Sequence, residues 1–242
     1  MAVPDAVVDA LGEFVPGEVT RGGVRLGDRA VRWVEAGSGQ PTLVLEAGRM
    51  TRPSRGHWSL PRSPGGCMLV AYDRAGLGAS YPAPSEDVVE RQIADVAAVI
   101  GQAADGPCIL AGHSWGGLLA KLVAFRHPGL VSGLVLVDPA HEQMTAALLR
   151  PACWVTRIRA APVRSVLPLE SAAGRPDELR GLTASLSAIR QLLAASHPFP
   201  DIPVTVLSAT RGFPPRLRTH WTALQADLAA APRGRHSYHS YR

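Results

Sequence analysis

The chain has 242 residues, enough for one sizeable α/β domain with its own core. Hydrophobic residues make up 46% and charged residues 19%, which excludes a disordered or fibrous chain. A net charge of +5 raises the question of nucleic acid, but Lys121 is the sole lysine and the arginines are scattered from Arg21 to Arg242. Without a dense basic block no phosphate-binding face is expected.

Cys67, Cys108 and Cys153 are odd in number and far apart, with no Cys-x-x-Cys pair. Neither a disulfide framework nor a zinc site is expected, and a reducing, cytoplasmic compartment fits this usage. The start, Met1-Ala2-Val3-Pro4-Asp5, lacks the basic and apolar regions of a signal peptide. No apolar run approaches membrane-spanning length, so no membrane partner is expected.

Residues 1–20 form a weakly patterned, acidic lead-in. Two short runs follow, around Val24 and over Ala30–Val34, separated by Gly27-Asp28, and they predict a β-hairpin. Thr42–Leu45 is a continuous apolar run of the kind buried in a parallel sheet, and Cys67–Tyr72 is another. Residues 50–66 are rich in Pro, Arg and Gly. A helix is predicted after Pro84, with Ser85, Glu86 and Asp87 at its positive end and Gly101 as its stop. Its residues Val88, Val89, Ile93, Val96, Ala97 and Ile100 share one face.

The most informative stretch is Cys108–Leu119. An apolar strand stops at Gly112, Ser114 follows, Gly116 and Gly117 come next, and an apolar helical pattern begins. Gly-x-Ser-x-Gly between a strand and a helix is the pattern of a nucleophile elbow. The apex is held at a strained backbone angle, and side chains at the flanking positions would collide across so sharp a turn. The alternative for Ser114 is a hydroxyl capping the next helix. That helix closes at His127-Pro128-Gly129, and Leu134–Val137 forms a further strand ending at Asp138-Pro139. Alternation of strand and helix from Thr42 to Asp138 implies a mostly parallel sheet wrapped by helices, with the hairpin at one edge.

From His141 to Pro200 strand-like runs disappear, and Ala, Leu and Arg recur at helical spacing between prolines. A small helical cap over 141–199 is expected, inserted into a core of 1–140 and 200–242. Ile202–Leu207 restores the strand pattern, a last helix covers roughly 217–231, and the tail Arg235–Arg242 is either a polar tail or the start of a final strand near His236.

Several of these pieces together resemble the α/β-hydrolases, in particular the cap-bearing lipase, epoxide-hydrolase and C–C-hydrolase-like branch. The matching stretches are Leu45–Gly48, Tyr72–Ser80, Gly112–Gly117, and Arg126-His127-Pro128 leading into Leu134–Pro139. Their order and spacing cover about 30–140. The resemblance implies an α/β-hydrolase fold with a catalytic order of serine, acid, histidine. Ser114 is then the nucleophile. Asp138 is the acid, because the other strand able to supply one ends at Leu207–Arg211 without a carboxylate. The oxyanion donors are the main-chain N–H of Trp115 and that of Arg49, after Gly48. Asp73 and Arg74 read as organisers of the turn at their strand end.

The family's histidine follows a final strand, and this sequence closes short of the usual Gly-His segment. His239 is the expected base, with His236 as the alternative. His141, three residues past Asp138, reads as packing at the start of the cap, His220 as exposed on its helix, and His113 as structural. The resemblance implies a serine hydrolase acting on an ester, or a related acyl or C–C bond, of a small and fairly apolar substrate. No metal or organic cofactor is implied. The alternative is a catalytically impaired ligand-binding relative, favoured by the shortened end. Oligomeric state is not legible in the sequence.

Overall fold

The computed structural model describes residues 19–48, 66–75, 80, 89–144, 176–194, 200–209, 215–230 and 236–241. Strands β1 (Val19–Leu26) and β2 (Arg29–Gly37) form the expected antiparallel hairpin, turned at Gly27, whose φ of 65° suits a residue without Cβ. Next come β3 (Thr42–Glu46), β4 (Met68–Asp73), helix α1 (Val89–Ala103), β5 (Cys108–His113) and helix α2 (Trp115–Arg126). A short 3-10 turn, Pro128–Leu130, leads into β6 (Val131–Val137). Then follow α3 (Pro176–Ala194), β7 (Val204–Ala209), α4 (Pro215–Ala229) and β8 (His236–Tyr241).

The eight strands make one sheet in the order β1-β2-β4-β3-β5-β6-β7-β8. The pairs β1/β2 and β2/β4 are antiparallel and every other pair is parallel. The hairpin thus sits at one edge, as its sequence position suggested. From β3 the chain passes to β4 on one side and later returns to β5 on the other, so the order reverses between β3 and β5. In open α/β sheets that reversal opens a crevice at the carboxyl ends of the strands.

Apolar residues on both sides of the parallel strands build two cores. The larger joins Val44, Val70, Leu110, Leu134 and Val206 to α1, α2, α3 and α4; the smaller, on the opposite face, contains Leu43, Leu69, Ala71, Ile109 and Val135. Helix α2 is buried almost all round, because its residues are apolar on every side. Arg29 ties the hairpin to α1: its Nη2 lies 2.6 Å from Asp95 Oδ1.

One expectation changes here, and one open alternative is decided. Helix α1 runs past Gly101 to Ala103, since a glycine inside a helix is only a modest penalty once Val99 and Ile100 are buried. Of the two readings of the tail, the final strand is observed: the main chain from His236 to Tyr241 pairs in parallel with β7. Within the span expected as a cap, Met144 and, on α3, Leu186 and Ile189 are buried in the larger core. Residues 145–175 lie outside the described residues.

One charged pair is buried at the carboxyl ends of β3 and β4. Glu46, its side chain fully enclosed, accepts from Arg74 Nη1 at 2.7 Å. Burial raises the Glu46 carboxyl to about 7, against the opposing pull of Arg74. The folded chain therefore holds this proton more tightly than the unfolded chain, where the carboxyl titrates near 4.5. The group's contribution to stability is whole below that value and is lost as the pH rises to about 7. Glu46→Gln is expected to remove this loss, which is on the order of 3 kcal/mol. Urea unfolding at about pH 5 and about pH 8 checks it, since an equal pH effect in both proteins contradicts the assignment. In the larger core, Leu134 is fully buried, and Leu134→Ala is expected to cost about 3 kcal/mol in the same assay.

Candidate active site

Ser114 stands between β5 and α2 with φ 54° and ψ −118°, a backbone region that a non-glycine residue occupies only under constraint. The constraints are visible. Its N–H donates to Val137 O at 3.0 Å, and its carbonyl accepts from Gly117 N–H at 3.1 Å and from Ala140 N–H at 2.7 Å. Glycines make the turn possible. A Cβ on Gly112 would run into the Gly116 carbonyl, one on Gly116 into the carbonyls of Glu46 and Ala47, and one on Gly117 would lie 2.6 Å from Pro139 Cβ. The Ser114 side chain makes no capping hydrogen bond to α2, so the capping alternative finds no support in the geometry.

Asp138 follows β6 directly and also adopts a positive φ, 43°, which aspartate tolerates better than most residues. Its N–H donates to Leu207 O at 2.8 Å, and its Oδ1 accepts from the Ala209 N–H at 2.8 Å, so the carboxylate is held at the carboxyl end of β7. The bend at Asp138 carries Pro139 and Ala140 back across the elbow, against Gly117 and the Ser114 carbonyl. Ser114, Trp115 and Asp138 are therefore gathered at one end of the sheet. Gln225 of α4 donates to the Pro139 carbonyl at 3.0 Å and braces the crossing from below.

The histidines are placed differently. His239 lies in mid-β8 and is exposed; it pairs in register with Leu207, which pairs with Val137, which pairs with His113. Three strand spacings separate β8 from β5, about 14 Å at the main chain. His236 opens the same strand, two places before Tyr238, which pairs with Val206; its side chain lies outside the described residues.

His141 is wholly buried. Its Nδ1 accepts from the Gln143 N–H at 3.1 Å, and its Nε2 lies 3.4 Å from Asp227 Oδ2. Burial pushes its pKa below the usual histidine range, Lys121 acts in the same sense, and Glu142 and Asp227 oppose them. The charges that act on it stand on α2 (Lys121), on α4 (Asp227) and next to it in the chain (Glu142). His220 is half-buried in α4, against the expectation of exposure.

Trp115 is buried, and its indole N–H donates to Gln92 Oε1 of α1 at 2.9 Å, which anchors the residue that follows Ser114. Arg49 lies outside the described residues. The loop leading toward it is held by Arg74, which donates to Glu46 Oε1 at 2.7 Å, to Ala47 O at 2.7 Å and to Gly48 O at 2.8 Å. Reading Asp73-Arg74 as an organiser of its own turn overlooked this reach. The one available signal was an arginine beside a strand end together with a glutamate closing the apolar run of β3.

Comparison with known proteins agrees with this architecture. The family model described as "Serine aminopeptidase, S33" matches residues 64–197, more than half of the chain. Lipase LipV of Mycobacterium tuberculosis is 35% identical over 97 residues, 40% of this chain and 34% of that protein. The sn-1-specific diacylglycerol lipase ABHD11 of Danio rerio is 28% identical over 155 residues, 63% of this chain and 42% of that protein. The match therefore spans well under half the length of either curated relative. The thioesterase domain from the curacin biosynthetic pathway superposes with a TM-score of 0.60 at 16% identity, covering 93% of each chain, a likeness of fold alone. With the elbow and Asp138 both inside the matched residues 64–197, the chain belongs to the α/β-hydrolases, in the family described as serine aminopeptidase, S33.

Proposed function

We propose that the chain is a serine hydrolase that cleaves an ester, or a related acyl or C–C bond, of a small and fairly apolar substrate. The observation that carries the reading is Ser114 itself: a strained residue at the sheet's reversal point whose hydroxyl does not cap its own helix. The Ser114 oxygen attacks the substrate carbonyl, and the developing oxyanion is met by the Trp115 N–H and, from the loop after β3, by that of Arg49. Collapse expels the leaving group, and water releases the acyl group from the serine. Asp138 would orient a histidine that takes and returns the proton. The sequence nominates His239 and then His236 for that role. No helix among the described residues is long and apolar enough to cross a membrane.

A second reading, a ligand-binding protein without turnover, is favoured by one observation: His239 is exposed on the outer strand, three strands from Ser114. Labelling with a fluorophosphonate probe separates the two. The hydrolase reading expects rapid labelling that Ser114→Ala abolishes, with ester turnover reduced about a thousandfold or more. His239→Ala and His236→Ala then report whether either strand histidine contributes. A folded wild-type protein that does not label would sink the hydrolase reading, and small esters should then raise its melting temperature without being consumed.

A further inference from the structure

We propose that Arg74 is a positioning residue of the acyl-transfer site, clamping the exit of β3 against the head of the elbow helix through Glu46, Ala47 and Gly48. The inference rests on Ser114 being the nucleophile. Arg74 follows β4, and its side chain is almost enclosed, at 10% exposure. Its guanidinium meets three successive residues: Nη1 bridges Glu46 Oε1 and the Ala47 carbonyl, both at 2.7 Å, and Nη2 reaches the Gly48 carbonyl at 2.8 Å. These oxygens share one rigid planar fork, so they cannot shift independently. An ammonium group, a single point on a flexible stem, cannot reproduce that arrangement.

The clamped segment presses on the elbow. The carbonyls of Glu46 and Ala47 lie over Gly116, with the Ala47 oxygen 2.6 Å from where a Cβ would stand. Gly116 is the second residue of α2 and follows the main-chain N–H assigned to the oxyanion. Any displacement of the β3 exit is therefore a displacement of the helix head or of the gap between the two. Oxyanion donors act only when held close to the position the oxyanion will take, so sub-ångström error there is felt in the chemical step.

Glu46 completes the device. Its side chain is fully enclosed, and Oε2 has no hydrogen-bond partner among the described residues. The nearby charge on α1, Asp95, is engaged with Arg29. Among the described residues Arg74 is the cation facing this carboxylate, and the carboxylate in turn fixes the guanidinium plane. A pair needed only for folding would change stability and leave turnover of the folded enzyme alone. A positioning pair lowers the rate of the chemical step at nearly constant substrate affinity.

The test compares wild type, Arg74→Lys and Glu46→Gln by the rate of fluorophosphonate labelling and by kcat and KM on a small ester, with circular dichroism confirming the fold. Arg74→Lys is expected to slow labelling and kcat about tenfold or more while KM stays within about twofold. Glu46→Gln keeps an acceptor oxygen and should lose kcat less, about threefold or more at the same KM. Should Arg74→Lys fail to fold, Glu46→Gln decides alone. Wild-type labelling with a folded variant labelling equally fast overturns the clamp by itself. Absence of labelling in the wild type overturns the hydrolase reading and the clamp together.

Discussion

The backbone of Ser114 is the constraint on which the rest of this end of the molecule depends. A φ of 54° on a residue with a side chain persists only where the surroundings over-determine it. Here they do so from three directions. The end of β6 holds the Ser114 N–H, the segment after Asp138 reaches over to its carbonyl through Ala140, and α2 takes up the same carbonyl from below. Each contact needs the adjacent backbones to approach more closely than side chains permit, which is why Gly112, Gly116 and Gly117 surround the turn. The parallel sheet contributes by bringing the carboxyl ends of β3, β5, β6 and β7 to one level.

A second feature is the price of assembling polar groups at that level. Several strands end inside the protein, and their last carbonyls and carboxylates lose water there. Asp138 recovers a partner in the Ala209 N–H, and the β3 exit recovers partners from Arg74. Glu46 recovers only part, and its raised pKa records the shortfall. Such incompletely satisfied groups are poor fold stabilisers, since a buried ion pair rarely repays its desolvation. What they do well is hold a geometry, and the geometry they hold adjoins Ser114.

Much of this was legible in the chain of residues. Continuous apolar runs marked β3 through β7, the glycine spacing marked the elbow, and Asp138 stood out because the next strand end carries no carboxylate. The tail was legible only as two alternatives. The polar sequence His-Ser-Tyr-His-Ser-Tyr carries no apolar alternation, and only pairing with β7 makes it a strand.

What the sequence by itself determined is therefore local: where strands end, where a turn is too tight for side chains, and which residue types stand at those points. These follow from steric and propensity rules acting over a few neighbours. What only the tertiary structure decided is distance across the sheet. It put Glu46, Arg74 and Gly116 in contact although 28 and 42 positions part Glu46–Arg74 and Arg74–Gly116 in the numbering (74 less 46, 116 less 74). It also set His239 three strands from Ser114, through a strand order that no stretch of residues encodes alone. Strand order arises from the packing of all the elements at once, and so does the reach of any residue in it.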